Sequence, residues 1–94
     1  MALETTRFDI QDHLKTQSEQ TAYLEAALAE DDPSFIAIAL GDIARARGVT
    51  KFAEEAGISR ETIYKTFRAG GNPRLQTLAA ATKVLGLRLT LVPA

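Results

Sequence analysis

Long polar side chains recur through the stretch "SRETIYKTFR", at spacings that place several of them on one side of a helix. At about 100° per residue, this outward set points away from the apolar Ile63. Its members are Glu61, Tyr64, Lys65 and Arg68. The stretch therefore predicts a helix with an apolar inner side and a polar outer side that is free to bind.

The polar side of this helix carries hydrogen-bonding groups that suit nucleic acid. Arg60 and Lys65 can donate to guanine edges or to phosphates, and Tyr64 can donate to phosphate or pack against a thymine methyl group. Glu61 can accept from cytosine, and Ser59 places its hydroxyl beside helix N-terminal amides that a phosphate or base could approach. The alternative is an exposed face of mixed charge that is simply solvated.

A preceding helix and a tight turn are needed to hold that face in place. In "FAEEAGISRETIYKTF", Ala53 is small where two helices would press together, and Gly57 can take the turn conformation that side chains disfavour. Ile58, Ile63 and Phe67 would anchor the second helix. Two helices joined by three or four residues that include glycine describe a helix-turn-helix, whose second helix enters the major groove of DNA.

Capping and turn residues divide the rest of the chain into further short helices. The residues expected to begin helices are Asp9, Ser18, Asp32 with Pro33, Thr50, Ser59, and Asn72 with Pro73. Gly48 and Gly86 are expected to end two of them. Gly41 lies inside a helical pattern, where glycine costs about 1 kcal/mol relative to alanine, which suggests close helix packing at that position.

The C-terminal tail "LRLTLV" alternates apolar and polar residues, which is the period of a half-buried β-strand. One strand alone cannot satisfy its backbone hydrogen bonds. The strand would therefore pair with the N-terminal "TRFDI", with the same strand of a second copy, or with a strand of another protein. We expect Leu87, Leu89 and Leu91 to support a dimer interface.

Charge is unevenly distributed over the 94 residues, although the composition, with 46% hydrophobic and 24% charged residues, is that of one globular domain. Residues 1–40 hold eight acidic and two basic side chains, a formal charge of −6. Residues 41–94 hold nine basic and four acidic side chains, a formal charge of +5. We therefore distinguish, within a single domain, an acidic N-terminal helical segment (1–40) and a helix-turn-helix DNA-binding region with the C-terminal strand (41–94).

Several classes of function have little support in the sequence. The chain has no cysteine, and its single histidine, His13, is expected to be a surface or packing residue, so we expect no metal site, no cofactor and no enzymatic activity. No apolar run approaches the roughly 20 residues that span a bilayer, and "MALETTRFDI" lacks the features of a signal peptide. We expect a cytoplasmic protein that does not bind membranes.

The motifs "ALGDIARARG", "GISRETIYK", "GNP" and "LGLRLTLVP", within a match from about Phe8 to Pro93, resemble the probable addiction-module antidote family, a HigA-like branch of the lambda-repressor-like helix-turn-helix proteins. The resemblance implies an all-α, five-helix DNA-binding fold and a homodimer. It also implies the antitoxin of a type II toxin-antitoxin pair that represses its own operator. The expected toxin is a small basic protein of the RelE/ParE superfamily, HigB-like and encoded beside the antitoxin.

Two sets of residues follow as candidate binding sites. Those expected to contact operator DNA are Thr50, Lys51, Ser59, Arg60, Glu61, Thr62, Tyr64, Lys65, Arg68, Asn72 and Arg74, with Arg45 and Arg47 adding positive charge nearby. Those expected to contact a basic toxin are Glu25, Glu30, Asp31 and Asp32. The alternative function is a free-standing helix-turn-helix transcriptional regulator without a toxin partner.

Overall fold

The computed structural model describes residues 9–94, and its regular elements are all helical. They are a 3₁₀ helix at Ile10–His13, α1 at Gln17–Ala29, α2 at Pro33–Arg47, α3 at Val49–Ala56, α4 at Arg60–Thr66 and α5 at Leu75–Val84. Over this part of the chain, the prediction of an all-α fold with five α-helices is confirmed. Most of the candidate pairing segment "TRFDI" precedes the described residues.

Three predicted helix starts are confirmed by side-chain caps. The carboxylate of Asp9 accepts from the Gln11 amide at 2.9 Å, and that of Asp32 accepts from the Ser34 amide at 2.9 Å. The hydroxyl of Ser59 accepts from the amide of Thr62 at 3.0 Å. Each cap satisfies an amide that has no partner within its own helix.

The start of α1 differs from the prediction because a stronger cap lies two residues earlier. The Thr16 hydroxyl accepts from the Glu19 amide, and the Glu19 carboxylate accepts from the Thr16 amide, so the two residues form a capping box. Ser18 lies inside the helix. Hydrogen bonds from the backbone amides of Thr16 and Lys15 lower the pKa of Glu19 below its usual value.

Two further helix starts are also displaced. The helix α3 begins at Val49 with Gly48 as its N-cap and no side-chain hydrogen bond at the cap, so the prediction that Thr50 caps this helix is wrong. The helix α5 begins at Leu75 and not at Asn72, because the extended Arg74 occupies its N-cap position. The turn at Gly57 follows the prediction, with a left-handed φ of 72°.

The core lies where α2, α3 and α4 meet, and α1 and α5 close it. Its largest fully buried side chains are Phe52, Phe67, Leu14, Leu24, Leu40, Ile43, Ile63 and Leu85. The rings of Phe52 and Phe67 meet edge to face with 6.3 Å between their centroids and 77° between their planes. Ala53 is also buried, as its predicted place between the motif helices requires.

Gly41 lies where α2 passes closest to the end of α4. A Cβ atom on Gly41 would overlap the backbone carbonyl oxygen of Phe67, which is the C-cap residue of α4. The close helix packing predicted at this glycine is therefore confirmed. The contact sets how closely the end of α4 approaches α2.

The predicted C-terminal strand does not form in residues 9–94. The helix α5 ends in a Schellman motif, in which the amides of Gly86 and Leu87 donate to the carbonyls of Lys83 and Thr82, and residues 87–94 have no regular structure. Leu87 is half-buried, whereas Leu89 is 40% and Leu91 96% exposed. A strand requires a partner for its backbone groups, and the described residues of one chain provide none.

A polar cluster joins α1 to α2 within the protein. The Tyr23 hydroxyl donates to the Asp42 carboxylate at 2.6 Å, and Arg45 forms an ion pair with the same carboxylate at 2.9 Å. Desolvation and the hydrogen bond to Asp42 together raise the pKa of Tyr23 to about 12.

The raised pKa of Tyr23 gives a testable pH dependence. Because the folded pKa exceeds the usual value near 10, this tyrosine contributes a stabilisation that is complete below about pH 10 and is lost as the pH rises towards 12. In a Tyr64→Phe variant, which leaves a single tyrosine, ultraviolet titration of the phenolate should give a midpoint near pH 12. Adding Asp42→Asn should move the midpoint towards 10, and equal midpoints in the two variants would contradict the proposed cause.

Candidate functional site

The helix α4 is held on the protein by its inner side and exposes its outer side. Ile63 is 2% and Phe67 1% exposed, whereas Tyr64 is 52% exposed. The remaining outward side chains, Arg60, Glu61, Lys65 and Arg68, are also exposed. The seven-residue helix thus presents the polar face that its sequence predicts, supported by the packing of α2 and α3 behind it.

A polar depression of about 370 Å³ lies between α4 and the start of α5. Its lining residues are Thr62, Lys65, Thr66, Asn72, Arg74 and Thr77. Four of them were predicted from the sequence to contact DNA. Two are basic and none is acidic, so the depression suits an anion such as a phosphate group.

Two residues of this depression, Thr66 and Thr77, are absent from the sequence-based set. The Thr66 hydroxyl donates to the carbonyl of Thr62, one turn earlier, at 2.7 Å. Thr66 follows Lys65 directly and lies four positions after Thr62, so helical spacing alone could have included it. Thr77 could not be found this way, because its position depends on how the loop 67–74 turns back towards α4.

Two predicted DNA contacts also make hydrogen bonds within the protein. The Ser59 hydroxyl accepts from the Thr62 amide and lies 2.8 Å from the Thr62 hydroxyl, so its main use is to cap α4. The Arg68 Nε donates to the carbonyl of Lys65 at 3.1 Å, which leaves the rest of the guanidinium exposed. Thr50 and Lys51 are exposed in the first turn of α3.

Arg45 and Arg47, predicted to add positive charge beside the DNA, both form ion pairs within the protein. Arg45 is paired with Asp42. Arg47 donates to the Gln20 side chain at 2.8 Å and lies 3.5 Å from the Glu55 carboxylate, so it connects α1, α2 and α3. Its side chain is only 20% exposed.

The four acidic candidates do not form one surface. Glu30, Asp31 and Asp32 follow one another at the α1–α2 turn, where Asp31 adopts a positive φ of 56°. Glu25 lies on another side of α1, beside a depression that also includes Leu85 and Leu87. The structure thus brings three of the four carboxylates together and separates the fourth.

Residues 9–94 also lack two other kinds of structural feature. No group of three or more His, Cys, Asp or Glu side chains in this part of the chain is placed to hold a metal ion. The described helices are also too short or too polar to cross a bilayer.

The described residues define an all-helical protein in which two short helices, joined by a glycine turn, present a polar outer face. Residues 4–93 match the family described as "Probable addiction module antidote protein". An uncharacterized protein of Haemophilus influenzae (strain Rd) is 44% identical over 81 residues, which are 86% of this chain and 84% of that relative. The chain belongs to the probable addiction module antidote protein family. No solved structure matches it with significant similarity.

Membership of this family indicates an antitoxin role and, in general, a toxin as partner. The sequence resemblance to an addiction-module antidote is thereby confirmed at the level of the family.

Proposed function

We propose that this chain is a HigA-like antitoxin of a type II module, which neutralises a HigB-like toxin of the RelE/ParE superfamily and represses its own operator. The observation that carries the DNA-binding part is the exposed polar face of α4, anchored on the core by Ile63 and Phe67. The family description supports the antitoxin part. The site is one for binding, and we propose no catalytic role for it.

In this proposal α3 and α4 act as the helix-turn-helix of a lambda-repressor-like domain. The helix α4 enters the major groove, where Arg60 and Lys65 make most of the base contacts and Tyr64 and Glu61 make fewer. The depression that includes Asn72 receives a backbone phosphate beside the groove. Lys65 borders both surfaces, so phosphate binding and base reading share one side chain.

We propose that the protein binds its operator as a homodimer through residues 87–92. Leu89, Leu91 and Val92 are exposed in the single chain at 40%, 96% and 78%, which is unfavourable for apolar side chains unless a partner covers them. Pairing with the same segment of a second copy would supply the missing strand partner. Two copies of α4 would then meet two half-sites of a palindromic operator.

The proposal is tested by co-purifying the tagged protein, expressed with its neighbouring genes, and by measuring the binding of free protein and complex to its own promoter at two salt concentrations. We expect a small basic protein to co-purify and both species to bind the promoter with steep salt dependence. Promoter binding without any co-purified partner would instead favour a free-standing cytoplasmic regulator. No promoter binding at either salt concentration would contradict the repressor role.

Alanine at Arg60 should reduce affinity for the operator and relax its sequence preference. A bidentate base contact is worth about 1–3 kcal/mol, which corresponds to a loss of about 5- to 150-fold in affinity. Alanine at Arg74 should weaken binding about equally for operator and unrelated DNA, because a phosphate contact does not read sequence. Competition binding against operator and scrambled DNA measures both effects, with Lys83→Ala as an exposed control on α5, outside α4, the depression and residues 87–92.

The two arginine variants distinguish a contact to a base from a contact to a backbone phosphate. Equal losses on operator and scrambled DNA for Arg60→Ala would place Arg60 on the backbone and contradict its assigned role. Unchanged affinity in both Arg60→Ala and Lys65→Ala would contradict the proposed orientation of α4 altogether.

A further inference from the structure

An apolar groove lies between α1 and α2, with a volume of about 360 Å³. Its walls consist of Tyr23, Ala26 and Ala27 from α1 and of Phe35, Ile38 and Ala39 from α2. Three of these six residues are alanines, whose small side chains leave room between the larger ones. None of these residues takes part in the polar depression beside α4.

The groove is bordered by an apolar side chain that one chain leaves uncovered. Phe35, which lines the groove, is 46% exposed. An exposed aromatic side chain beside a concave apolar surface is typical of sites where a partner inserts an anchoring residue.

The shape of the groove is fixed by the polar cluster beneath it. The Tyr23 hydroxyl is directed into the protein, where it donates to Asp42, and Arg45 holds that carboxylate from the other side. The tyrosine therefore presents its ring to the groove while its polar group already has a partner. A partner that enters the groove meets a preformed wall, which lowers the entropic cost of binding.

Negative charge is concentrated at one end of the groove. Glu30 lines it directly, and Asp31 and Asp32 follow in the turn to α2. The lining contains no basic residue. Its chemistry therefore favours an apolar or aromatic side chain that is flanked by Lys or Arg.

We propose that this groove receives the toxin, which inserts an apolar anchor between α1 and α2 and places basic residues against Glu30, Asp31 and Asp32. The inference rests on the proposed antitoxin function and names the surface on which it acts. A second copy of the chain is a weaker candidate, because its exposed apolar tail carries a single base, Arg88. Toxin and DNA then bind to surfaces that share no residue.

Two pairs of matched variants test the groove. Ala26→Phe fills it from an exposed position on α1, and Ala22→Phe makes the same change at an exposed alanine outside it. Glu30→Lys reverses a charge in the groove, and Asp12→Lys makes a matching reversal at an exposed position in the 3₁₀ helix, outside the groove. Lysine at position 30 should not impair folding, since cations are favourable at a helix C-terminus.

The measurement is the dissociation constant for the small basic protein encoded beside the gene, by calorimetric titration, together with operator affinity and sedimentation mass. We expect Ala26→Phe to weaken toxin binding by about 100-fold or more, as loss of an interface anchor does, and Glu30→Lys by about tenfold. Both controls should stay within about threefold of the parent protein. Operator affinity should be unchanged in all four variants.

Each other outcome overturns the inference in a distinguishable way. Parent-like toxin affinity in both Ala26→Phe and Glu30→Lys would place the toxin elsewhere and leave the antitoxin function intact. Unchanged toxin affinity with a loss of dimer mass in Ala26→Phe would assign the groove to a second copy. Failure of the unaltered protein to bind its neighbour would overturn the proposed antitoxin function, and the groove's role with it.

Discussion

Replacement of Phe52 by alanine is expected to lower the free energy of unfolding by about 3–5 kcal/mol. The ring is fully buried and packs edge to face against Phe67, so truncation removes its own contacts and half of an aromatic pair. Domains of this size have a total stability of about 5–15 kcal/mol, so the loss is a large share of it. Urea unfolding followed by circular dichroism measures the change.

The matched control for Phe52 is Leu75→Ala, which truncates an apolar side chain that is 73% exposed. Its effect should stay within about 0.5 kcal/mol, as for most surface substitutions. A loss below about 1.5 kcal/mol for Phe52→Ala would mean that the site collapses around the cavity, and that this aromatic pair is not the centre of the core.

Replacement of Gly41 by alanine is expected to destabilise the protein by about 2 kcal/mol or more, although alanine is the better helix former by about 1 kcal/mol. The reason is steric, because the added Cβ would overlap the Phe67 carbonyl oxygen, and a backbone atom cannot rotate away. Relief requires α4 to move outward. The free energy of unfolding, measured with urea, should therefore fall. The affinity for the proposed operator, measured under conditions where the variant is still folded, should fall as well.

Gly70→Ala is the control for Gly41, since its added Cβ has open space around it and meets only the cost of a positive φ of 76°. That cost is about 1–2 kcal/mol, and the position of α4 against α2 should not change. A Gly41→Ala protein with increased stability would show that propensity outweighs the contact. One with reduced stability and unchanged operator affinity would show that α4 keeps its position.

Local signals in the sequence predict most of the helices. Asp9, Asp32 and Ser59 act as caps because a short polar side chain needs only the next two or three amides, all within the same segment. The start of α1 was misplaced because Thr16 and Glu19 form a reciprocal capping box, which outcompetes the single hydroxyl of Ser18.

Features that depend on distant residues were less predictable. The alternation of "LRLTLV" indicates only that the segment suits a strand, and pairing depends on a partner that periodicity does not identify. The contacts of Arg47 could not be predicted from the sequence, because its partners, Gln20 and Glu55, come from two other helices. The exposed face of α4 could be predicted from its helical period, whereas the depression beside it required the path of the following loop.

Arg47 has a consequence for how this protein can be divided or recombined. It binds Gln20 in the acidic segment and Glu55 in the basic region, and α2, which carries it, continues across positions 40 and 41. A chimera that took its first 40 residues from a relative would have its junction inside this helix, and it would lose the Arg47–Gln20 hydrogen bond unless the relative supplied a matching acceptor. The acidic segment and the basic region are therefore one structural unit, and a recombination between relatives at this boundary would have to preserve the contacts of Arg47.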